Sequence, residues 1–443
     1  MSKKIRVDFS EKEDIVISPD NNRIKHDVTA VVSIQNPATQ SRVWAMELSV
    51  SQSENTERLQ PGSYDVGVIN PESTWTREYS VRSPIPVLTL TEDIDTDFKP
   101  NEENPERHTL LFNKEAKVLF QITIKNTFGK KKIDNIKVIK HLPSIAGEAM
   151  FLGEVKGQAV QVDNTIKWNV PELFINEEAV LRVYVPCTPT NGDAVGAGEI
   201  DVTYEVENHN IVESEPYLTS QVMVKPQVKP IEVAPDEWQV DLKFTGNEEL
   251  DVQLEEFEVS QAGESLYKKP EGHNEIIADR VWEDSFNMTF SEYPNLEKVV
   301  KYRPLWYITR SIHSKIKKLE WILPVLKINV TKTLDPPECL SYARTDIQVS
   351  SVIENTGTGV IIEGIFSEII PPYLYLKPET VEVAVNGRVI DKDRYTVETQ
   401  TLEEGEDDSN LKVARPLTTK VNLDTETGII SGEKLQLTYI IHA

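Results

Sequence analysis

Carboxylates at alternate positions are the first residues here whose type and spacing could do chemistry. Asp93, Asp95 and Asp97 follow Glu92 in one short stretch, and clustered carboxylates are what a hard cation such as calcium takes as ligands. An EF-hand loop begun at Asp93 would need Gly at its sixth position and Glu at its twelfth, where the chain carries Phe98 and Asn104. The three aspartates are therefore calcium candidates only as a looser site at a domain junction, and a solvated strand end is the plainer expectation. The histidines, at 26, 108, 141, 209, 273, 313 and 442, form no H-x-H or H-x-x-x-H pair and have no cysteine pair beside them, so no metal site is expected. No G-x-S-x-G elbow and no P-loop occurs, and the glycine-rich stretches 192–198 and 357–359 read as hairpin turns. These residues predict no enzyme and no cofactor.

Recognition chemistry is better represented. Trp238, Trp282, Trp306 and Trp321 gather in one quarter of the chain with Tyr302 and Tyr307, and the cations Arg310, Lys315, Lys317 and Lys318 lie beside them. Exposed, these aromatics would stack on sugar rings or anchor a partner protein; buried, they fill a core, which is the commoner use. The candidate partner-binding residues are Trp306, Trp321, Arg310, Lys315, Lys317 and Lys318.

Charge limits the partners. Lys and Arg number 47 against 72 Asp and Glu in 443 residues, a formal net charge of −25. Nucleic-acid binding needs clustered positive charge to displace counterions, so no nucleic-acid partner is expected. The N-terminal Met1-Ser2-Lys3-Lys4-Ile5-Arg6-Val7-Asp8 leads directly into alternation rather than into an apolar signal core. No run approaches the roughly 18 apolar residues of a membrane span. The expectation is a cytoplasmic chain, with the cell surface by a non-standard route as the alternative. Cys187 and Cys339 are the two cysteines; Cys187 continues the in-facing set Leu181, Val183, Val185 and reads as core.

The elements that would position these residues are strands. Val118, Phe120, Ile122 and Ile124 alternate with polar neighbours, as do Ile200, Val202, Tyr204 and Val206, and Leu435, Leu437, Tyr439 and Ile441. A period of two in β-branched and aromatic residues marks half-buried antiparallel strands. Asn36-Pro37, Asn70-Pro71, Asn191-Gly192 and Asn386-Gly387 supply turns. One segment is ambiguous: Ile308, Ile312, Ile316, Leu319 and Leu323 fit a helix face, yet the three isoleucines also fit alternate strand positions, and β-branching favours the strand. Prolines cluster near 93–107, 224–237 and 332–338 and suggest stiff connectors. The expectation is an all-β tandem array of four immunoglobulin-like β-sandwich domains over 1–92, 93–228, 229–331 (the aromatic-rich one) and 332–443.

Two of these units repeat each other. Ile124-Lys125-Asn126-Thr127 to Leu142-Pro143 recurs as Ile353-Glu354-Asn355-Thr356 to Pro371-Pro372, with Ile136 opposite Ile365. Ile34-Gln35-Asn36-Pro37 offers a third, weaker copy. Units two and four resemble the conserved-repeat immunoglobulin-like sandwich of bacterial and archaeal proteins, often found at the cell surface. The resemblance rests on Asn126-Thr127 and Asn355-Thr356-Gly357, on His141-Leu142-Pro143 and Ile370-Pro371-Pro372, and on Ile166-Lys167-Trp168 in unit two only. It rests also on Asn176-Glu177-Glu178-Ala179-Val180 and Ser431-Gly432-Glu433-Lys434-Leu435. It implies a β-sandwich and is nearly silent on function.

Two registers are open for the end of unit four. If Gly432-Glu433 matches Asn176-Glu177, unit four lacks the strand Gly198-Glu199-Ile200-Asp201-Val202-Thr203-Tyr204 of unit two, leaving an open C-terminal edge for a partner strand. If Leu437-Thr438-Tyr439 matches Val202-Thr203-Tyr204, nothing is missing. The functional expectation is a non-catalytic scaffold, adaptor or assembly subunit that meets protein partners or its own copies through sheet edges. The alternatives are a surface structural or adhesive protein and a carbohydrate-binding protein with its site in unit three.

Overall fold

The computed structural model describes residues 3–96, 108–269, 274–276, 278, 280–338, 344–399, 414–423 and 428–442. The fold is all-β; among the described residues the one helical element is the 3-10 turn Lys392–Arg394. The ambiguous isoleucine segment is a strand, Trp306–Lys318, with Ile312 and Ile316 buried at alternate positions. The expected connector near 224–237 is also largely strand: among the described residues Lys225–Ala234 pairs on one side only, with Glu237–Thr245. An edge position tolerates Pro226 and Pro230, because a proline needs no ladder donor on the open side.

A nine-stranded sheet organises the first three quarters of the chain. Its order is Gln158–Val162, Thr165–Leu173, Ile133–His141, Ile200–Glu207, Trp306–Lys318, Ile5–Ile17, Arg23–Gln35, Thr74–Val81 and Thr56–Glu57. The joint is a parallel pairing from Ile5 opposite Trp306 to Ile17 opposite Lys318. Both joint strands run 13 residues, long enough to serve two cores. Ile5, Val7 and Phe9 line a cluster shared by the expected first and third units, with Val32, Ile34, Val240, Phe244 and Phe257. Ile15, Ile17, Ile312 and Ile316 line a second cluster with Leu88, Phe120, Trp168 and Val202. Cys187 is buried in the latter, and burial pushes its thiol up to about 12. A third cluster, with Val349, Val383, Leu417, Leu437 and Tyr439, belongs to the last quarter of the chain.

Strand pairing shows where the repeated sandwiches begin. Leu88–Asp95, astride the expected 92/93 boundary, pairs with Ala116–Asn126 as the edge of the second sandwich's sheet. Ile328–Asp335 pairs with Asp346–Asn355 in the same way in the fourth. Facing the fourth sandwich's five-stranded sheet is a three-stranded one, ordered Glu363–Ile370, Arg415–Asn422, Tyr395–Thr399.

The repeat is real at the level of single hydrogen bonds. Asn126 Nδ2 donates to Lys131 O and Leu173 O while its Oδ1 accepts from Phe128 N–H. Asn355 Nδ2 donates to Gly359 O and Ile429 O while its Oδ1 accepts from Gly357 N–H. Asn36 does the same to Ser41 O, Ile69 O and Ala38 N–H. All three asparagines are buried, so each amide satisfies turn carbonyls that water cannot reach. Asn126 N–H donates to Glu177 O and Asn355 N–H to Glu433 O, each at 3.0 Å. The first register is therefore the correct one: Gly432-Glu433 matches Asn176-Glu177.

Two sequence expectations need correction. The amide of Asn126 reaches five residues on and that of Asn355 only four, so the turn in the fourth sandwich is one residue shorter. Ile136, fully buried, therefore corresponds to Gly364, and the exposed Ile365 points outward. The C-terminal strand Lys434–His442 is not an open edge either: Asp346–Asn355 and Tyr375–Val385 pair with it on its two sides.

Candidate interaction site

The cations singled out on Trp306–Lys318 do not form one patch, because strand alternation divides them. Lys315 is exposed, and Lys317 pairs with Glu199 at 2.7 Å on the outer face. Arg310 faces inward and donates to Ser214 O at 2.9 Å. Lys318 is fully buried, 3.4 Å from Glu92 and bonded to Pro19 O at 2.9 Å. A buried ammonium offers nothing to a partner, so Lys318 leaves the candidate surface.

The tryptophans divide too. Trp238 is buried and donates to Phe290 O. Trp282 packs against Phe257, with ring centroids 5.4 Å apart. Trp306 packs edge-on to Tyr217 beside the cluster of the first and third units. Trp321 stacks on His108 with centroids 4.8 Å apart, against the second sandwich's core. Trp306 and Trp321 therefore sit against different cores and form no common strip.

Of the calcium candidates, Asp93 is exposed and Asp95 is buried, both on Leu88–Asp95; Asp97 lies outside the described residues. Cys339 lies outside them as well. Among the described residues no group of three or more His, Cys, Asp or Glu is placed to hold a metal ion.

Two carboxylates went unnoticed in the sequence. On Ile5–Ile17 the inward positions read Ile5, Val7, Phe9, Glu11, Glu13, Ile15, Ile17, and the two glutamates separate the two cores. Glu11 accepts from Tyr79 hydroxyl at 3.0 Å and from the N–H groups of Ile211 and Val212. Burial pushes its carboxyl up to about 7 against the pull of those donors. Glu13 accepts from Tyr204 hydroxyl, Ser314 hydroxyl and Val87 N–H and lies 2.9 Å from His26 Nε2. Burying two acids is tolerable because each has several donors. The sequence signal was available: two glutamates on an otherwise apolar strand face.

A buried ion cluster sits deeper in the second sandwich. Lys140 Nζ lies 2.6 Å from Glu92 and donates to Gly198 O, with Lys318 on the other carboxylate oxygen. The fourth sandwich pairs Lys332 with Glu368 between the corresponding strands, in contact with solvent.

Among the described residues the fourth sandwich has one uncovered side. Ile328–Asp335 is exposed along its whole length, and Glu363–Ile370 is an edge strand. Between them and the second sandwich lies a cleft of about 420 Å³ lined mainly by apolar residues, among them Leu111, Phe112, Ile328, Ile361 and Ile365. Lys114 and Lys327 also line it. This arrangement can bind through backbone groups and apolar contact.

No family model matches the chain, and no curated protein matches it in sequence. Solved structures are similar at the level of remote fold only. The yeast delta-COP-I mu-homology domain, complexed with a Dsl1 WxWxV peptide, is 9% identical over 73% of this chain and 99% of that one, with a TM-score of 0.33. The major pilin subunit of Bacillus cereus is 8% identical over 66% and 95%, with a TM-score of 0.22. A putative membrane-anchored protein from Corynebacterium diphtheriae is 9% identical over 93% and 88%, with a TM-score of 0.16. The cytoplasmic placement expected from the N-terminal residues is withdrawn, since the similar structures include a pilin subunit and a membrane-anchored protein. Among the described residues no helix is long and apolar enough to cross a membrane.

Proposed function

We propose that this chain is a non-catalytic structural protein of the cell surface, built to hold its sandwiches in fixed relation and to meet other proteins through sheet edges. The observation that carries the reading is the 13-residue parallel pairing of Ile5–Ile17 with Trp306–Lys318. It joins segments some three hundred positions apart into one sheet, and the strands on either side of it enter two different cores. Linkers between independent modules leave them free to move relative to one another; a continuous backbone ladder fixes both strands in one register. The buried acids support the same reading, because Glu11 and Glu13 hold strands and loops together rather than facing a substrate. The family resemblance of the second and fourth sandwiches, and a count of four sandwich units, belong to this proposal. That remote fold likenesses include a pilin subunit and a membrane-anchored protein is in keeping with this setting.

The test is surface labelling of intact cells with a membrane-impermeant amine reagent. Exposed lysines such as Lys315 should be modified without lysis. A chain that is labelled only after lysis is not a surface protein.

A further inference from the structure

The second and fourth sandwiches correspond residue for residue in their first strands. Leu88 stands opposite Asn126 and Ile328 opposite Asn355. Thr127 N–H donates to Val87 O and Thr356 N–H to Lys327 O. Leu88, Leu90, Glu92 and Ile94 are thus the counterparts of Ile328, Val330, Lys332 and Leu334. Their surroundings differ sharply. Leu88, Leu90 and Ile94 are 0%, 2% and 2% exposed; Ile328, Val330 and Leu334 are 53%, 55% and 44% exposed.

The difference comes from the facing sheet. In the second sandwich Ile133–His141 has Thr165–Leu173 on one side and Ile200–Glu207 on the other. Ile200, Val202, Tyr204 and Val206 point into the core that buries Leu88, Leu90 and Ile94. In the fourth sandwich the counterpart strand Glu363–Ile370 has Arg415–Asn422 on one side, and among the described residues no strand on the other. Lys140 and Glu368 correspond, so the pair Lys140–Glu92 is matched by Glu368–Lys332 with its charges exchanged. The two layers therefore meet at the same place in both sandwiches, and the fourth lacks the counterpart of Ile200–Glu207 and of the strands beyond it, Trp306–Lys318 and Ile5–Ile17, which complete the cover in the second.

We infer that the open side of the fourth sandwich receives an extended strand from a separate partner polypeptide, antiparallel to Glu363–Ile370, with apolar side chains at every second position. The inference rests on the proposed reading that this chain meets other proteins. An unpaired strand edge supplies main-chain donors and acceptors, and pockets for alternate side chains supply selectivity. Inward side chains of the added strand would cover Val330 and Leu334 as Ile200–Glu207 covers Leu90 and Ile94. The cleft continues the contact already made where Leu110–Leu111 pairs with Val325–Leu326. Lys114 and Lys327 lie where the incoming strand would end, beside Glu363, so an acidic residue near the partner's carboxyl end fits. In the internal strand Glu205, opposite Asp134, stands nearest to the counterpart of Glu363. A second copy does not offer that strand, because Ile200–Glu207 is held between Ile133–His141 and Trp306–Lys318.

The probe is a synthetic peptide with the sequence of residues 200–207, added to the full chain while amide hydrogen exchange is followed. The expected result is saturable slowing of exchange over Glu363–Ile370. A peptide of the same composition with its alternation scrambled should give none. Val330→Lys, at a position exposed in the free chain, should leave the melting temperature within about 1 °C and weaken peptide binding at least tenfold. Three results overturn the inference: no slowing at millimolar peptide, equal slowing by the scrambled peptide, or unchanged binding to the Val330→Lys chain. Light scattering that shows a dimer split by Val330→Lys also overturns it, in favour of a second copy. Peptide binding without surface labelling of cells would refute the surface setting and leave this inference standing; labelling without binding would do the reverse.

Discussion

Tyr204 donates its hydroxyl to Glu13 Oε2 at 2.6 Å, across 191 positions of chain. Ser314 donates to the same oxygen at 2.7 Å, and Val87 N–H and His26 approach the other one. A single buried carboxylate thus ties together segments from four parts of the chain. Tyr204→Phe should cost about 1–3 kcal/mol of unfolding free energy, the range for leaving one buried hydrogen-bonding group short of its partner. Glu13→Ala orphans every one of those partners and should cost more. Urea unfolding of both variants checks this, and equal stability for the wild type and Glu13→Ala would mean that the carboxylate holds nothing.

Glu11 makes stability depend on pH near neutrality. Its carboxyl is raised from 4.5 to about 7 in the folded chain, chiefly by burial. Between those values the folded state binds more protons than the unfolded one, so unfolding free energy falls as pH rises. The contribution is fully present below about 4.5 and is lost as pH climbs through 7, on the order of 3 kcal/mol in all. Glu11→Gln mimics the protonated acid and should flatten this slope, making the variant the more stable chain at pH 8. Denaturant midpoints between pH 5 and 8 give the slope directly; parallel curves for both chains would remove Glu11 as its source.

The contrast between what the sequence announced and what it hid follows from sequence distance. Strand periodicity and the asparagine turns of Asn126 and Asn355 are local patterns, and they specified the all-β class and the repeat correctly. The parallel joint of Ile5–Ile17 with Trp306–Lys318 left no local mark, because parallel pairing shows no hairpin turn and its register depends on the intervening fold. The same blindness misplaced the cations. Arg310 and Lys318 share a strand face with Ile312 and Ile316, so their inward orientation was written in the alternation, but their acceptors at Ser214 and Pro19 were not. Ile365 was set opposite Ile136 because a turn shortened by one residue flips every later side chain to the other face.

The exchanged ion pairs of the two repeated sandwiches should respond differently to truncation. Glu92 is buried between Lys140 and Lys318, so Glu92→Gln leaves two buried ammonium groups without their counter-charge. A loss on the order of 3–5 kcal/mol is expected, as for other broken buried pairs. Lys332→Met removes one member of a solvent-washed pair and should cost under about 1 kcal/mol. Chemical denaturation of the two variants compares them, and a smaller effect for Glu92→Gln would mean that water reaches the second sandwich's pair.

The buried asparagines offer a test that resolves one sandwich from another. In Asn126→Ala two turn carbonyls lose their donor and the Phe128 N–H loses its acceptor; Asn355→Ala does the same to Gly359 O, Ile429 O and Gly357 N–H. Each should cost on the order of 2–3 kcal/mol, because the groups left behind are shielded from water. Asp in place of Asn keeps the acceptor but turns a carboxylate toward two carbonyls, so Asn→Asp should be no milder than Asn→Ala. The damage should stay local, since the fourth sandwich has a core cluster of its own. Asn355→Ala is expected to speed amide exchange in Lys434–His442 and leave Glu178–Cys187 protected, and Asn126→Ala to do the opposite. Loss of protection in both strands from either single change would show that the two cores unfold together, contrary to this expectation.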